Sequence, residues 1–138
     1  MSAAECFVDT NVLLYLISAD AGKADRAEQV LGAGGVISVQ VLNEFAAIAL
    51  RKLALSMAEV REVLAAVRST CRLVPLDERT HDLGLRIAQD YRLSLYDAMI
   101  VAAALLANCT ALLSEDLQHG QRIEGRLLVQ NPFRAVGA

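Results

Sequence analysis

The stretch Glu5-Cys6-Phe7-Val8-Asp9-Thr10-Asn11-Val12-Leu13-Leu14 decides the fold of this chain. An apolar run of strand type reaches the carboxylate of Asp9, and a helical pattern begins at Asn11, with Thr10 in position to cap that helix. In a chain that alternates strands and helices, Asp9 therefore stands at the carboxyl end of a buried strand. Ligands of open parallel sheets bind at that edge. We predict a strand over residues 5–9 and a ligand site that begins at Asp9.

Length and composition favour one α/β domain. The chain has 138 residues, which is near the usual size of a single domain. Hydrophobic residues make up 55% and aromatic residues 4%, with no Trp, so the core must be built from Leu, Val, Ile and Ala. That composition suits helices packed on a sheet better than an all-β sandwich. We expect residues 1–138 to form a single domain.

Strand and helix patterns alternate along the remainder of the chain. Apolar periodicity and capping signals predict six helices. The first three run over 11–18, from the polar break at 20–22 through 31, and from Ser38 to about 53. The last three run from Ser56 to about 67, from 77 to about 92, and over 95–107. Short apolar runs predict strands at 36–38, 72–76, 110–113 and 126–130, with a polar stretch at 118–124 and an irregular tail at 131–133. This order predicts a three-layer α/β/α sandwich around a mainly parallel sheet.

The charge of the chain argues against simple electrostatic binding of nucleic acid. The net charge is −3 and the pI is about 5.3, whereas most nucleic-acid-binding domains carry a basic footprint. Bound divalent cations could reverse the local sign at a site. The N-terminus has no basic region before its first apolar run, and the longest apolar stretch, 98–107, is far shorter than the ~20 residues of a membrane span. We expect a soluble, cytoplasmic protein that does not associate with membranes.

The cysteines and histidines do not form a recognisable site. Cys6, Cys71 and Cys109 are far apart and flanked by apolar residues, which predicts buried thiols in a reducing compartment. His81 and His119 lack ligand or triad spacing, so surface or capping roles are expected. Five basic residues on predicted helices are expected to be mostly solvated, and one or two could contact RNA phosphates: Arg51, Lys52, Arg79, Arg86 and Arg92.

Four separated carboxylates fall at comparable positions in the predicted elements. These positions are just past the first strand, early in the helix after the second, in the first turn of the apolar helix, and just past the fourth strand: Asp9, Glu44, Asp97 and Asp116. In a parallel sheet all four lie at or near the carboxyl edge. Four negative charges in a cleft favour a bound cation, and oxygen ligands suit Mg²⁺ or Mn²⁺. Such ions activate water and stabilise the attacking and leaving oxygens in phosphoryl transfer.

Each carboxylate also has an ordinary structural explanation. Asp97 could complete a capping box with Ser94. Asp116 could cap a short turn, and Glu44 could be a solvated charge beside an apolar stripe. Asp9 is the hardest to explain in this way, because a carboxylate that ends a buried strand needs a partner and no Lys or Arg is nearby in sequence. The four together favour a metal site more strongly than any one alone.

Four sequence segments carry a family resemblance. They are Phe7-Val8-Asp9-Thr10-Asn11-Val12-Leu13, Asn43-Glu44, Leu95-Tyr96-Asp97-Ala98-Met99-Ile100-Val101-Ala102-Ala103-Ala104 and Leu113-Ser114-Glu115-Asp116. In type and order these segments resemble PIN-domain proteins, specifically the VapC-type toxin ribonucleases, over nearly the whole chain. The Asp-Thr-Asn start and the Asp-Ala-x-Ile-x-Ala-Ala block are fairly specific, whereas the lone Glu is not.

The resemblance implies a PIN-like fold and an endoribonuclease that depends on Mg²⁺ or Mn²⁺, is often dimeric and is inhibited by a partner antitoxin. By position it implies a catalytic, metal-binding quartet and three supporting residues: Asp9, Glu44, Asp97 and Asp116, with Thr10, Asn11 and Ser114. Many members have Thr where this chain has Ser114, so the hydroxyl is retained. Glu115 leaves open which of the adjacent acids, Glu115 or Asp116, faces the metal.

Two other classes of function compete with metal-dependent RNA cleavage. A doubly wound phosphatase or phospho-receiver would use Asp9 as nucleophile. A haloacid-dehalogenase-type phosphatase usually has a second Asp two positions on, where this chain has Asn11, and a receiver normally offers an acidic pair before the strand-end Asp. A PIN-like scaffold that only binds a partner has no need to hold four acids together. RNA cleavage is therefore the leading hypothesis, and it predicts that Asp9→Asn abolishes cleavage without unfolding the protein.

Overall fold

The computed structural model describes residues 6–134 of the chain. The strands in that range are β1 (Cys6–Val8), β2 (Gly35–Ser38), β3 (Cys71–Val74), β4 (Ala111–Leu113), β5 (Arg122–Ile123) and β6 (Leu127–Gln130). The helices are α1 (Thr10–Tyr15), α2 (Ala21–Gly32), α3 (Val39–Arg51), α4 (Met57–Thr70), α5 (Glu78–Tyr91) and α6 (Leu95–Leu106). Strands and helices therefore alternate as the sequence patterns predict.

The strands form one sheet in the order β3-β2-β1-β4-β6-β5. All neighbouring pairs are parallel except β5 and β6, which are antiparallel. Helices flank this sheet, so the predicted α/β/α architecture with a mainly parallel sheet is confirmed. Successive strands run outward from β1 in one direction up to β3, and the chain then returns to the other side of β1 at β4. The strand order thus reverses between β1 and β4, and ligands of open sheets bind in the crevice at such a point.

The first strand and helix begin at slightly different residues from those predicted. The strand is Cys6–Val8, and Glu5, which the prediction included, lies outside the described residues. Asp9 rather than Thr10 is the N-cap of α1, because Asp9 has extended backbone angles and its side chain accepts a hydrogen bond from the Thr10 N–H. Both residues can cap a helix, and Asp is the better cap. The prediction of Thr10 as the cap is therefore wrong by one residue.

Helix α6 is the most deeply buried helix of the described part of the chain. Every residue from Ala98 to Leu105 is buried. It packs closely on α5, where a Cβ built on Gly84 would lie 2.6 Å from the Met99 sulfur. This close packing fixes the position of the first turn of α6, which carries Asp97. No helix within residues 6–134 combines the length and apolar character needed to cross a membrane.

Three local predictions need correction. The polar stretch 118–124 contains a strand, β5, which pairs with β6 through a tight turn at Glu124 and Gly125, both with positive φ. Two residues are too few to produce a periodic signal. The strand predicted over 72–76 lies at Cys71–Val74 and so ends before Pro75. Cys71 and Cys109 are buried as expected, but Cys6 is partly exposed.

Candidate active site

The carboxyl ends of β1 and β4 bring Asp9 and Ser114 together. The two strands pair in parallel with Val8 opposite Leu113, so the next residue of each strand lies at the same edge of the sheet. The backbone N–H of Asp9 donates to the Leu113 carbonyl at 3.0 Å. The Ser114 hydroxyl donates to Asp9 Oδ2 at 2.7 Å. Two residues more than a hundred positions apart in the chain thus meet at one edge of the sheet.

Asp9 is a buried carboxylate with neutral hydrogen-bond donors around it. Only 3% of its surface is exposed. Its Oδ1 accepts from the Thr10 N–H at 2.7 Å, and its Oδ2 accepts from Asn11 Nδ2 at 3.1 Å in addition to Ser114. Burial raises the pKa of Asp9 to about 7, although the hydrogen bonds from Ser114 and Thr10 lower it, and the charges of Asp97 and Asp116 raise it further. Among residues 6–134, this carboxylate therefore has hydrogen-bond donors but no ion-pair partner.

The Ser114 hydroxyl also organises the loop after β4. Besides donating to Asp9, its oxygen accepts from the backbone N–H groups of Asp116 and Leu117, each at 3.2 Å. The Ser114 side chain is fully buried, so these hydrogen bonds are shielded from water. A single hydroxyl thus holds both the loop that carries Asp116 and the carboxylate of Asp9.

Asn11 connects the same two segments from the other side. Its side-chain NH₂ lies 3.1 Å from Asp9 Oδ2 and 3.4 Å from Asp116 Oδ2, and its Oδ1 accepts from the Glu115 N–H at 3.1 Å. Burial raises the pKa of Asp116, the Asn11 hydrogen bond lowers it, and the charges of Asp97 and Glu115 raise it. The side-chain amide of Asn11 therefore donates to two carboxylates that repel each other.

Glu44 lies in the second turn of α3. Ser38 ends β2 and caps α3, which places Glu44 little more than a turn beyond the edge of the sheet. The buried Gln40 side chain donates to Glu44 Oε2 at 3.0 Å and orients it. Burial raises the pKa of Glu44, the Gln40 hydrogen bond lowers it, and the charges of Asp97 and Asp116 raise it. Glu44 therefore faces the other acids and is more than a solvated charge.

Asp97 completes the group from the first turn of α6. Its backbone N–H, rather than its carboxylate, makes the capping hydrogen bond to the Ser94 hydroxyl, at 3.2 Å. Its negative charge raises the pKa of the other three carboxyls. The structure thus places all four acids that the sequence singled out close enough for their charges to interact: Asp9, Glu44, Asp97 and Asp116. We call them the acidic cluster.

Glu115 does not belong to the acidic cluster. Its carboxylate accepts hydrogen bonds from the Tyr15 hydroxyl and from Lys23 Nζ, the latter at 2.8 Å. Burial opposes ionisation of Glu115, but the hydrogen bonds from Lys23 and Tyr15 outweigh it and lower the pKa. The Lys23 ammonium also lies 4.6 Å from the centre of the Tyr15 ring. Of the two adjacent acids, Asp116 is thus the one that faces the cluster.

The donor chemistry of the acidic cluster fits Mg²⁺ or Mn²⁺. The donors are hard oxygens. Burial, together with mutual repulsion, raises the pKa of three of these carboxyls, and a bound cation would offset both effects. The Thr10 hydroxyl is buried beside Asp9 in sequence and has no hydrogen-bond partner within residues 6–134. In the same range, no three His, Cys, Asp or Glu side chains already have the close arrangement of a metal site. The carboxylates would therefore have to move closer together around the ion.

The remaining predicted candidates lie outside the cluster. His119 accepts from the Asn131 N–H at 3.0 Å on the surface, and His81 is exposed. Arg86 pairs with Asp90 and Glu124. Sequence reasoning did not single out Gln40, which orients Glu44, or Tyr15 and Lys23, which hold Glu115 outside the cluster. Only Gln40 gave a usable signal, because it precedes Glu44 by one helical turn on the same face.

Fold and site together define an α/β protein with acidic side chains near the switch point of its sheet. A profile of the PIN domain family matches residues 6–122, so the chain belongs to the PIN domain family. Among curated proteins, none matches this chain.

Several solved structures share the fold. A chain of a toxin–antitoxin complex from Klebsiella pneumoniae is 25% identical, with a TM-score of 0.69 over 92% of this chain and 97% of the other. DNA-bound VapBC from Salmonella typhimurium gives 19% identity and a TM-score of 0.69 over 96% and 99%. VapC20 from Mycobacterium tuberculosis, a toxin that cleaves the sarcin–ricin loop, gives 18% and 0.61 over 80% and 89%. The predicted PIN domain is confirmed, and the resemblance to VapC-type proteins is confirmed at the level of the fold.

Proposed function

We propose that this protein is an endoribonuclease that hydrolyses RNA phosphodiester bonds and acts as the toxin of a toxin–antitoxin pair. The observation that carries the proposal is the acidic cluster, with the buried carboxylate of Asp9 at the switch point of the sheet. Membership of the PIN domain family supports the same interpretation, as does the structural likeness to a chain of a toxin–antitoxin complex and to a toxin that cleaves the sarcin–ricin loop.

The four acids would hold Mg²⁺ or Mn²⁺, with Asp9 and Asp97 as main ligands and Glu44 and Asp116 completing the charge. The bound ion would activate water for attack and neutralise charge on the scissile phosphate. The protein's own part is to fix the carboxylates: Ser114 and Asn11 hold Asp9, and Gln40 holds Glu44. Such neighbouring groups commonly change metal affinity or activity 10- to 100-fold.

The buried state of Asp9 argues against the competing phosphatase mechanism. Both of its oxygens accept hydrogen bonds, from Thr10 on one side and from Asn11 and Ser114 on the other. An oxygen held in this way is a poor nucleophile but a well-oriented ligand. Trapping of an aspartyl-phosphate on Asp9 would revive the phosphatase reading.

The decisive experiment incubates the protein with a panel of unstructured and looped RNAs, with Mg²⁺ or Mn²⁺ and with EDTA. We expect cleavage with metal and none with EDTA. Asp9→Asn should reduce cleavage more than 100-fold, because it removes a metal ligand, while its circular dichroism spectrum stays that of the parent. The matched control is Asp25→Asn, an exposed acid of α2, which should cleave at the parent's rate. Cleavage by Asp9→Asn at the parent's rate would disprove the assignment.

A calorimetric titration with Mn²⁺ separates the nuclease from a PIN-like scaffold that only binds a partner. The nuclease should bind Mn²⁺ at a defined site that Asp9→Asn removes. A scaffold should show no such site in either protein.

Two further experiments test the proposed partners. Size-exclusion chromatography of the same preparation should give a homodimer. Co-expression with the proposed antitoxin should abolish RNA cleavage.

A further inference from the structure

The side chain of Tyr96 is unusually exposed for its place in the molecule. It directly precedes Asp97 in the first turn of α6. At 61% exposure it is the most exposed large hydrophobic side chain within residues 6–134. An aromatic ring in solvent does little for the core, but it offers a flat face on which a nucleic-acid base can stack. Because Tyr96 adjoins Asp97 of the acidic cluster, a base stacked on its ring would lie near the proposed site of cleavage.

Tyr96 separates two clefts of opposite charge. The first, of about 270 Å³, is the basic cleft, lined by Glu44, Ala47, Ile48, Arg51, Lys52 and Tyr96. The second, of about 420 Å³, is the acidic cleft, lined among others by Leu95, Tyr96, Asp77, Glu78 and His81. Only the basic cleft contains a member of the acidic cluster. An RNA strand that leaves the cluster past Tyr96 therefore meets cations in one cleft and carboxylates in the other.

The basic cleft runs along one face of α3. Glu44, Ile48 and Arg51 follow each other at steps of four and three residues, so they share that face, and Arg51 lies ~10 Å from Glu44 along the helix axis. Arg51 and Lys52 are exposed and form no ion pair with any other residue between 6 and 134. The cleft thus begins at a carboxylate of the cluster, continues over an apolar side chain and ends at two unpaired cations.

We propose that the basic cleft binds one unpaired RNA nucleotide next to the scissile phosphate, with Tyr96 stacked on its base and Arg51 and Lys52 contacting its phosphate. The inference rests on the proposed ribonuclease function. A base inside a duplex cannot stack on a protein ring, so this subsite selects single-stranded or looped RNA. Because every base has a π-face, stacking on Tyr96 tolerates many sequences. The local cations also offset the acidic net charge where the strand must lie.

Substitution of Tyr96 tests the stacking. Tyr96→Ala should raise the KM for a short unstructured RNA about tenfold and leave kcat nearly unchanged, because stacking contributes to substrate and transition state alike. Tyr96→Phe keeps the ring and should behave as the parent. The matched control is Leu95→Ala, since Leu95 is the adjacent residue, is 47% exposed and lines only the acidic cleft. Thermal melting checks that each variant folds.

An RNA series with one base removed at a time gives the sharper test. In the parent, loss of the base at one position beside the cut should raise KM as much as Tyr96→Ala does. Tyr96→Ala itself should be insensitive to loss of that base, because the stacking partner is already absent. If Tyr96→Ala responds to the missing base as strongly as the parent does, the base does not stack on Tyr96 and the inference is overturned.

Salt dependence tests the two cations. Log affinity falls linearly with log salt concentration, and Arg51→Gln and Lys52→Gln should each make that negative slope shallower by about 0.7, the contribution of one phosphate contact in a single strand. Arg68→Gln, an exposed cation on α4, should leave the slope unchanged, and so should Tyr96→Phe. Equal slopes for the parent and all cation variants would refute the phosphate contacts.

Failure of this inference differs from failure of the proposed function. If the parent cleaves RNA with metal but Tyr96→Ala keeps the parent's KM, the ribonuclease stands and the subsite is wrong. If the parent cleaves no RNA in the presence of metal, the proposed function fails and this inference fails with it.

Discussion

Glu115 and Asp116 are neighbours in sequence, but their carboxylates have opposite electrostatic surroundings. Glu115 is paired with Lys23 and hydrogen-bonded by Tyr15, and its pKa is lowered. Asp116 lies with three other acids, receives one weak hydrogen bond from Asn11, and its pKa is raised. We call the first arrangement the Lys23–Glu115 pair. Within residues 6–134, the lack of a basic partner is therefore a property of the acidic cluster and not of this loop, since Glu115, one residue away, has one.

The largest expected difference in kcat/KM is between variants of these two adjacent acids. Asp116→Asn should lower kcat/KM for RNA roughly 100-fold, on the order of 3 kcal/mol of transition-state stabilisation, because it removes charge from the metal site. Glu115→Gln removes the same charge one residue away and should change kcat/KM by less than about threefold. Steady-state cleavage assays at saturating Mn²⁺ measure both. Equal losses in the two variants would mean that the acidic cluster extends to Glu115.

The hydroxyl of Ser114 comes next in expected effect. Ser114→Ala leaves the N–H groups of Asp116 and Leu117 without their acceptor and removes a donor from Asp9, so it should destabilise the protein by about 1–3 kcal/mol. Cleavage should fall about tenfold, since the carboxylates lose their fixed positions. Ser114→Thr keeps the hydroxyl and is the control. Urea unfolding and cleavage rates that match between Ala and Thr would contradict this role.

Local signals explain why most of the fold could be predicted. Ser38, Ser56, Asp77 and Ser94 each accept a hydrogen bond from the backbone N–H three residues later, as their sequence positions predict. A cap acts within one helical turn, so it can be read from a short window. The acidic cluster could be predicted for a related reason: the carboxyl ends of parallel strands meet at one edge, so strand-end acids must approach one another. Their catalytic role stays a prediction.

Side-chain direction explains what could not be predicted. Lys23, Tyr15 and Glu115 meet from α2, α1 and the loop after β4. No sequence spacing joins those elements, so the choice between Glu115 and Asp116 stayed open. Thr10 and Asp9 are both able to cap α1, and only the backbone angles decide between them. Strand β5 owes its existence to pairing with β6 rather than to its own two residues.

The metal-free protein should show an unusual pH dependence of stability because of Asp9. The pKa of Asp9 is about 7 in the folded protein and near 3.8 when unfolded. A raised pKa means that its contribution to stability is fully present below pH 3.8 and is lost as pH rises through 7. In EDTA, Asp9 should therefore lower the free energy of unfolding between pH 5 and pH 8 by about 2 kcal/mol, and Asp9→Asn should remove this contribution.

Urea titrations of the parent, Asp9→Asn and the surface control Asp25→Asn at both pH values measure this effect. Asp25→Asn should follow the parent, and Mn²⁺ should restore the parent's stability at pH 8, since ligands that bind only the folded state stabilise it. A parent that is equally stable at pH 5 and pH 8 in EDTA would show that Asp9 has a positively charged partner after all.

The smallest effect is expected at the Lys23–Glu115 pair. Each side chain is 26% exposed, so water and salt screen their attraction. Lys23→Met should lower the melting temperature by no more than a few degrees, and the difference from the parent should shrink in 1 M NaCl. The double variant with Glu115→Gln should lose little more than either single variant, because both break the same contact. Cleavage should stay within about threefold of the parent in all three. A larger loss of cleavage would mean that the pair restrains Asp116 through the shared loop. Glu115 would then contribute to cleavage by positioning Asp116, instead of being independent of the acidic cluster.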